Sequence, residues 1–180
     1  GGNPDSGPLH WTGNFDEFQD FESDARLHFG GEGFLTEEQW TSGTTSDSLG
    51  DPKAGMSEEL DALDAYLSSL TAWPVPPGES SPEDLALLTD LGCTVCHTGV
   101  AYTDSATGVR HDVGTFGPGS GQRRGGELDG LDTPTLRGVW KTSPWLHDGS
   151  AETLEEAIER HNPGLNSEDV QASADVVSKL

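Results

Sequence analysis

Two thiols and an imidazole sit within five consecutive residues, Cys93-Thr94-Val95-Cys96-His97. They are the only cysteines in the chain, so no structural disulfide is left to place elsewhere. Thiols spaced this way can add across the two vinyl groups of a haem, and the histidine directly after them then reaches the iron from one side. Two other chemistries use paired cysteines. A zinc site needs two further ligands at a distance, and a thioredoxin-like redox pair needs a βαβ setting that the sequence does not offer. The adjacent histidine favours one covalent c-type haem, with His97 as proximal ligand.

A helix must deliver this motif. Ser81 reads as an N-cap, Pro82 as the first helical residue and Asp84 as the capping-box partner. Leu85, Leu88 and Leu91 fall on one side, and Gly92 ends the helix before Cys93. Residues 98–130 are Gly-rich and aperiodic, and read as loop. Helices are expected over 151–161, capped by Ser150, and over 168–180, capped by Ser167. Upstream, a helix is expected over 57–70 with Ser57 as cap, and another over 15–28, where Phe15, Phe18 and Phe21 recur every three residues. No strand is evident.

The iron's second axial position needs a ligand or stays open. Met56, the only methionine, precedes the motif by a long stretch and is a poor candidate. His161 closes an apolar helix face made by Ala151, Leu154, Ala157 and Ile158, and is the preferred distal ligand. A histidine so placed also packs or hydrogen-bonds without any metal. His147, His111 and His28 are rivals, and His147 and His111 could instead orient a neighbour or meet a propionate. Trp11, Trp140 and Trp145 are the aromatics that could pack on porphyrin.

Residues 73–80, Trp-Pro-Val-Pro-Pro-Gly-Glu-Ser, read as a linker because three prolines cannot continue a helix. Around it runs a faint repeat. Leu9-His10-Trp11-Thr12-Gly13 echoes Leu146-His147-Asp148-Gly149, and Met56–Leu60 echoes Asn166–Val170. Residues 1–72 therefore read as the tail of a first cytochrome-like domain without a haem motif, and 81–180 as a second domain with one. The opening Gly1-Gly2-Asn3-Pro4 suggests a processed or truncated start.

Composition narrows the partners. There are 32 acidic against 9 basic side chains, a formal net charge of -23, and a mean hydropathy of -0.54. Such a surface repels nucleic acid and anionic membranes, and favours a basic partner at low salt. No apolar run is long enough to span a membrane. Only 32% of residues are hydrophobic, so a bound cofactor would supply apolar bulk to a thin core.

Four segments together carry a resemblance. Cys93–His97, His111-Asp112-Val113-Gly114-Thr115, Asp132-Thr133-Pro134-Thr135-Leu136-Arg137-Gly138-Val139-Trp140 and Ser143-Pro144-Trp145-Leu146-His147-Asp148-Gly149-Ser150 resemble the C-terminal haem domain of bacterial di-haem cytochrome c peroxidases and their MauG-like relatives. Residues 81–180 resemble it well. Residues 1–72 resemble, more loosely, the end of the N-terminal haem domain. The resemblance implies an all-α, class I cytochrome c-like domain with long Gly-rich loops, preceded by a partial, similar helical domain. It implies periplasmic or extracellular placement, a haem that relays electrons to a peroxidatic haem in the other domain, and calcium between domains, for which Asp112, Asp129 and Asp132 are candidates. The family's distal ligand, methionine or tyrosine, falls on or beside His161. Arg137 matches a family arginine expected near a propionate, though a surface ion pair explains it equally well.

Three functions follow as expectations. The first is electron transfer through the haem to a basic or haem-bearing redox partner. The second is peroxide reduction with a second haem domain outside this chain. The third is service as a haem-bearing subunit of a larger assembly. Whether the chain is itself an enzyme stays open among them.

Overall fold

The computed structural model describes residues 7–72 and 75–180. Gly1–Pro4 and the Trp73-Pro74 start of the expected linker lie outside the described residues. Among the described residues six α-helices carry the fold: α1 (Phe21–Leu27), α2 (Glu37–Trp40), α3 (Glu58–Ser69), α4 (Pro82–Asp90), α5 (Leu154–His161) and α6 (Ser167–Val177). None of the described helices is long and apolar enough to cross a membrane.

α4 starts as its residue pattern predicts. Ser81 Oγ accepts from the Asp84 amide at 3.1 Å, and Asp84 Oδ2 accepts from the Ser81 amide at 2.9 Å. Its apolar side places Leu88, 1% exposed, against Val176, Val177 and Leu180 of α6 and the residues after it. Lys179 Nζ ties the same two segments by donating to Asp84 Oδ2 at 3.1 Å. α5 lies on α6 through Ile158, Val170 and Ala174. Burial of these aliphatic side chains is the main force holding the three helices together.

Several expected boundaries need correction. α5 begins at Leu154 with Thr153, not Ser150, as its cap. Residues before it are held in a tight loop by backbone pairing of Trp145 with Ala151, and the Ser150 amide is engaged by Asp148 Oδ1 at 3.0 Å. α6 is capped by Asn166, whose side-chain oxygen accepts from both Glu168 and Asp169 amides, so Ser167 is its first residue. The expected helix over 15–28 is a 3-10 turn, Phe18–Asp20, followed by α1. Phe15 stays outside because it pairs with Leu9 in a β-bridge and is 1% exposed. α2 was not anticipated, although Thr36 and Gln39 form a capping box that defines it.

The chain also contains strands, contrary to expectation. β1 (Arg110–His111) and β2 (Leu131–Asp132) pair antiparallel, Arg110 with Asp132 and His111 with Leu131. Two residues are too few to show alternation, so the pattern had nothing to read. Gly130 is required there, since a Cβ would come within 3.0 Å of the Arg110 and His111 backbone.

The N-terminal segment is laced onto this region. The Asp132 amide donates to Trp11 O at 2.7 Å, and the Gly7 amide donates to Ser105 Oγ at 3.2 Å. Arg123 donates to the carbonyls of Thr12 and Gly13 at 2.9 and 3.1 Å. Behind it, a buried ion pair joins Lys53 Nζ to Asp20 Oδ1 at 2.6 Å, with side chains 1% and 0% exposed.

Candidate haem site

α4 hands the chain to the motif through Gly92, whose φ of 79° turns the backbone into a 3-10 turn over Cys93–Val95. That left-handed conformation is cheap only for glycine. The His97 amide donates to Cys93 O at 3.0 Å, which coils both cysteines and the histidine into one short loop. Cys93 and Cys96 are free thiols, both partly buried. Burial pushes both thiols above their ordinary pKa, and at Cys96 the charge of Asp104 adds to the effect. Cys93 leans on the α4–α6 core, whereas Val95 is 77% exposed.

His97 is held by a clasp. Its Nδ1 lies 3.0 Å from Tyr102 O, and a carbonyl can only accept, so Nδ1 carries the proton and Nε2 keeps its lone pair. Tyr102 meets this need with a φ of 53°, a conformation costly for a non-glycine residue. The Thr103 amide bonds Thr98 O at 2.9 Å and closes the clasp. Burial lowers the pKa of His97, which keeps the ring neutral and able to coordinate.

His161 repeats this chemistry at the end of α5. Its Nδ1 donates to Ala157 O at 2.6 Å, leaving Nε2 free. His161 is near enough that its charge helps to depress the His97 pKa. Arg137 lies against the clasp: its Nε donates to Val100 O at 2.9 Å, and its guanidinium carbon sits 4.9 Å from the Tyr102 ring centre. No carboxylate among the described residues pairs with it, so the surface ion pair is not what is seen.

The structure places Cys93, Cys96 and His97 in one loop with Arg137 against it, and His161 within electrostatic reach of His97. Of the other expected residues, His111 lies beside Cys96 and Asp104, and the rest make their contacts elsewhere. Trp145 Nε1 donates to Val139 O at 2.9 Å, and its side chain lines a pocket of about 300 Å³ with Trp140, Leu154 and Ala174. His147 Nε2 lies 2.7 Å from Ser120 Oγ, and its buried Nδ1 has no partner among the described residues. His28 meets Asp24 Oδ1 at 2.9 Å, and His10 meets Asn14 Oδ1 at 3.0 Å. Of the three aspartates considered for calcium, Asp112 accepts from the Gly114 amide, Asp129 pairs with Arg110 and Asp132 accepts from Ser105 Oγ at 2.6 Å. Two residues escaped sequence reading. Tyr102 and Asp104 sit in an aperiodic loop, where no spacing marks a residue that works through its carbonyl or through one carboxylate.

A haem fits this donor set. Paired thiols, a neutral imidazole with Nε2 free and a second such imidazole are the groups that a covalent, six-coordinate haem iron needs. Comparison with known proteins adds to this picture. A cytochrome c551 peroxidase of Nitrosomonas europaea is 38% identical over 84 residues, 43% of this chain and 25% of that protein. Over those 84 residues the chain is similar to a cytochrome c peroxidase. The match spans a quarter of the peroxidase's own length. No protein-family model matches the chain. A xenon-pressurized hydrazine synthase of Kuenenia stuttgartiensis superposes with a TM-score of 0.49 and 22% identity, over 67% of this chain and 55% of that one.

Proposed function

We propose that this chain carries one covalent c-type haem and transfers electrons through it. Cys93 and Cys96 would anchor the macrocycle, His97 would be the proximal ligand and His161 the distal one. When bound, the haem supplies a one-electron ferric/ferrous couple; the protein supplies its ligands, its burial and its surroundings. The observation that carries the reading is the shared state of His97 and His161. Each gives its Nδ1 proton to a backbone carbonyl, so each presents Nε2 as a ligand without a protonation change. Two histidine ligands would leave no open position for a substrate, which suits an electron carrier. Arg137, held at the clasp, would meet a propionate. Residues 81–180 would form the haem domain and 1–72 a partial domain of the same kind.

A basic or haem-bearing redox partner suits a net charge of -23, with rates that fall as salt rises. Placement outside the cytoplasm would accord with the similarity to a peroxidase and with covalent haem attachment. A second reading is peroxide reduction together with another haem domain, favoured by the 38% identity to a peroxidase.

Low-temperature EPR of the oxidised protein beside His161→Ala tests both. A low-spin signal that turns high-spin in the variant supports bis-histidine electron transfer. A high-spin signal in the unaltered protein would mean an open iron, and would move the reading to peroxide chemistry.

A further inference from the structure

Asp104 stands just beyond the clasp. Its Oδ2 lies 2.7 Å from His111 Nε2, and its side chain is only 12% exposed. The other oxygen, Oδ1, is buried with no hydrogen-bond partner among the described residues. The Cys96 sulfur, a carboxylate oxygen of Asp104 and a ring nitrogen of His111 all lie within 4.8 Å of one another. A thiolate would make this trio a metal site, but an alkylated Cys96 leaves a neutral thioether and only two strong ligands. What remains is a largely buried carboxylate beside a sulfur that anchors the macrocycle.

We propose that Asp104, held in place by His111, is a fixed negative charge at the haem edge that favours the ferric state. The proposal rests on the haem reading above. An anion stabilises the more positive oxidation state, and poor solvent access weakens the screening that would hide it. Ser105 and β2 support the arrangement from behind, where Asp132 Oδ2 accepts from Ser105 Oγ at 2.6 Å.

The test is a spectroscopic redox titration of the haem-loaded full chain, with covalent haem first counted after denaturation. At one fixed applied potential, Asp104→Asn should shift the ferric-to-ferrous ratio about tenfold toward ferrous. His111→Lys, which sets a permanent cation against the carboxylate, should shift it the same way and serves if the first variant fails to load haem. Asp112→Asn, which removes an exposed charge from the same loop, should change the ratio less than about twofold. A loaded Asp104→Asn or His111→Lys protein with an unchanged ratio overturns the proposal while leaving the haem reading intact. Absence of covalent haem from the unaltered chain overturns both.

Discussion

Trp11 and His147 occupy the same place in two copies of one loop, and their rings meet, centroids 6.3 Å apart at 70°. The copies are Pro8–Phe15 and Pro144–Ala151. Each is closed by a backbone bridge across six residues, Leu9 with Phe15 and Trp145 with Ala151. Each has a left-handed non-glycine residue, His10 at φ 66° and Leu146 at 67°, and a left-handed glycine, Gly13 or Gly149. The geometry moves the repeat by one position: Trp11, not His10, is the counterpart of His147. A double-mutant cycle of Trp11→Ala and His147→Ala, read by denaturant unfolding, should give a coupling of about 0.5–1.5 kcal/mol. Strict additivity would mean that the rings touch without interacting.

The cap of α5 offers a cleaner stability contrast. Thr153→Ala should cost about 1 kcal/mol, because the Glu156 amide loses its acceptor. Ser150→Ala should cost less, since that residue lies outside the helix. Thermal melts of the two variants side by side decide which residue is the cap.

Lys53 and Asp20 should be far less tolerant. Lys53→Ala leaves the buried Asp20 carboxylate without its cation, and the expected loss is about 3–5 kcal/mol. Changing both residues to apolar ones of similar size should recover much of it. Denaturant midpoints for the single and double variants give the measurement.

Asp132 should shape the response to pH. Burial, helped by the charge of Asp104 and opposed by the Ser105 hydroxyl, pushes its pKa up to about 6. A carboxyl whose folded pKa exceeds its free value favours the fold while protonated. Its contribution is whole below about pH 4 and is lost as pH rises through about 6. Asp132→Asn should therefore lose less stability than the unaltered protein between pH 4.5 and 7.5, measured as the difference in melting temperature.

Elements with local signals were legible in the sequence. Ser81-Pro82 and Asp84 announce α4 because every group in that cap lies within four residues, and Ser57 announces α3 the same way. The Cys93–His97 motif needs no tertiary information at all. Ser150, Ser167 and Phe15 misled for one reason: each has the right residue type, but a neighbour's hydrogen bond or a backbone bridge claims the position first. Tyr102 was invisible because it acts through its backbone. Asp104 was invisible because 32 acidic residues hide the one whose surroundings differ.

The lacing of Trp11, Thr12 and Gly13 onto Arg123 and Asp132 bears on how this polypeptide can be cut. Composition suggests scissors at the prolines near residue 75. Yet a fragment starting at Ser81 would strip acceptors from the Arg123 guanidinium and the Asp132 amide. Modularity here belongs to the helices, not to the connections between them, and an excised 81–180 segment would have to grow its own replacement for those three N-terminal residues.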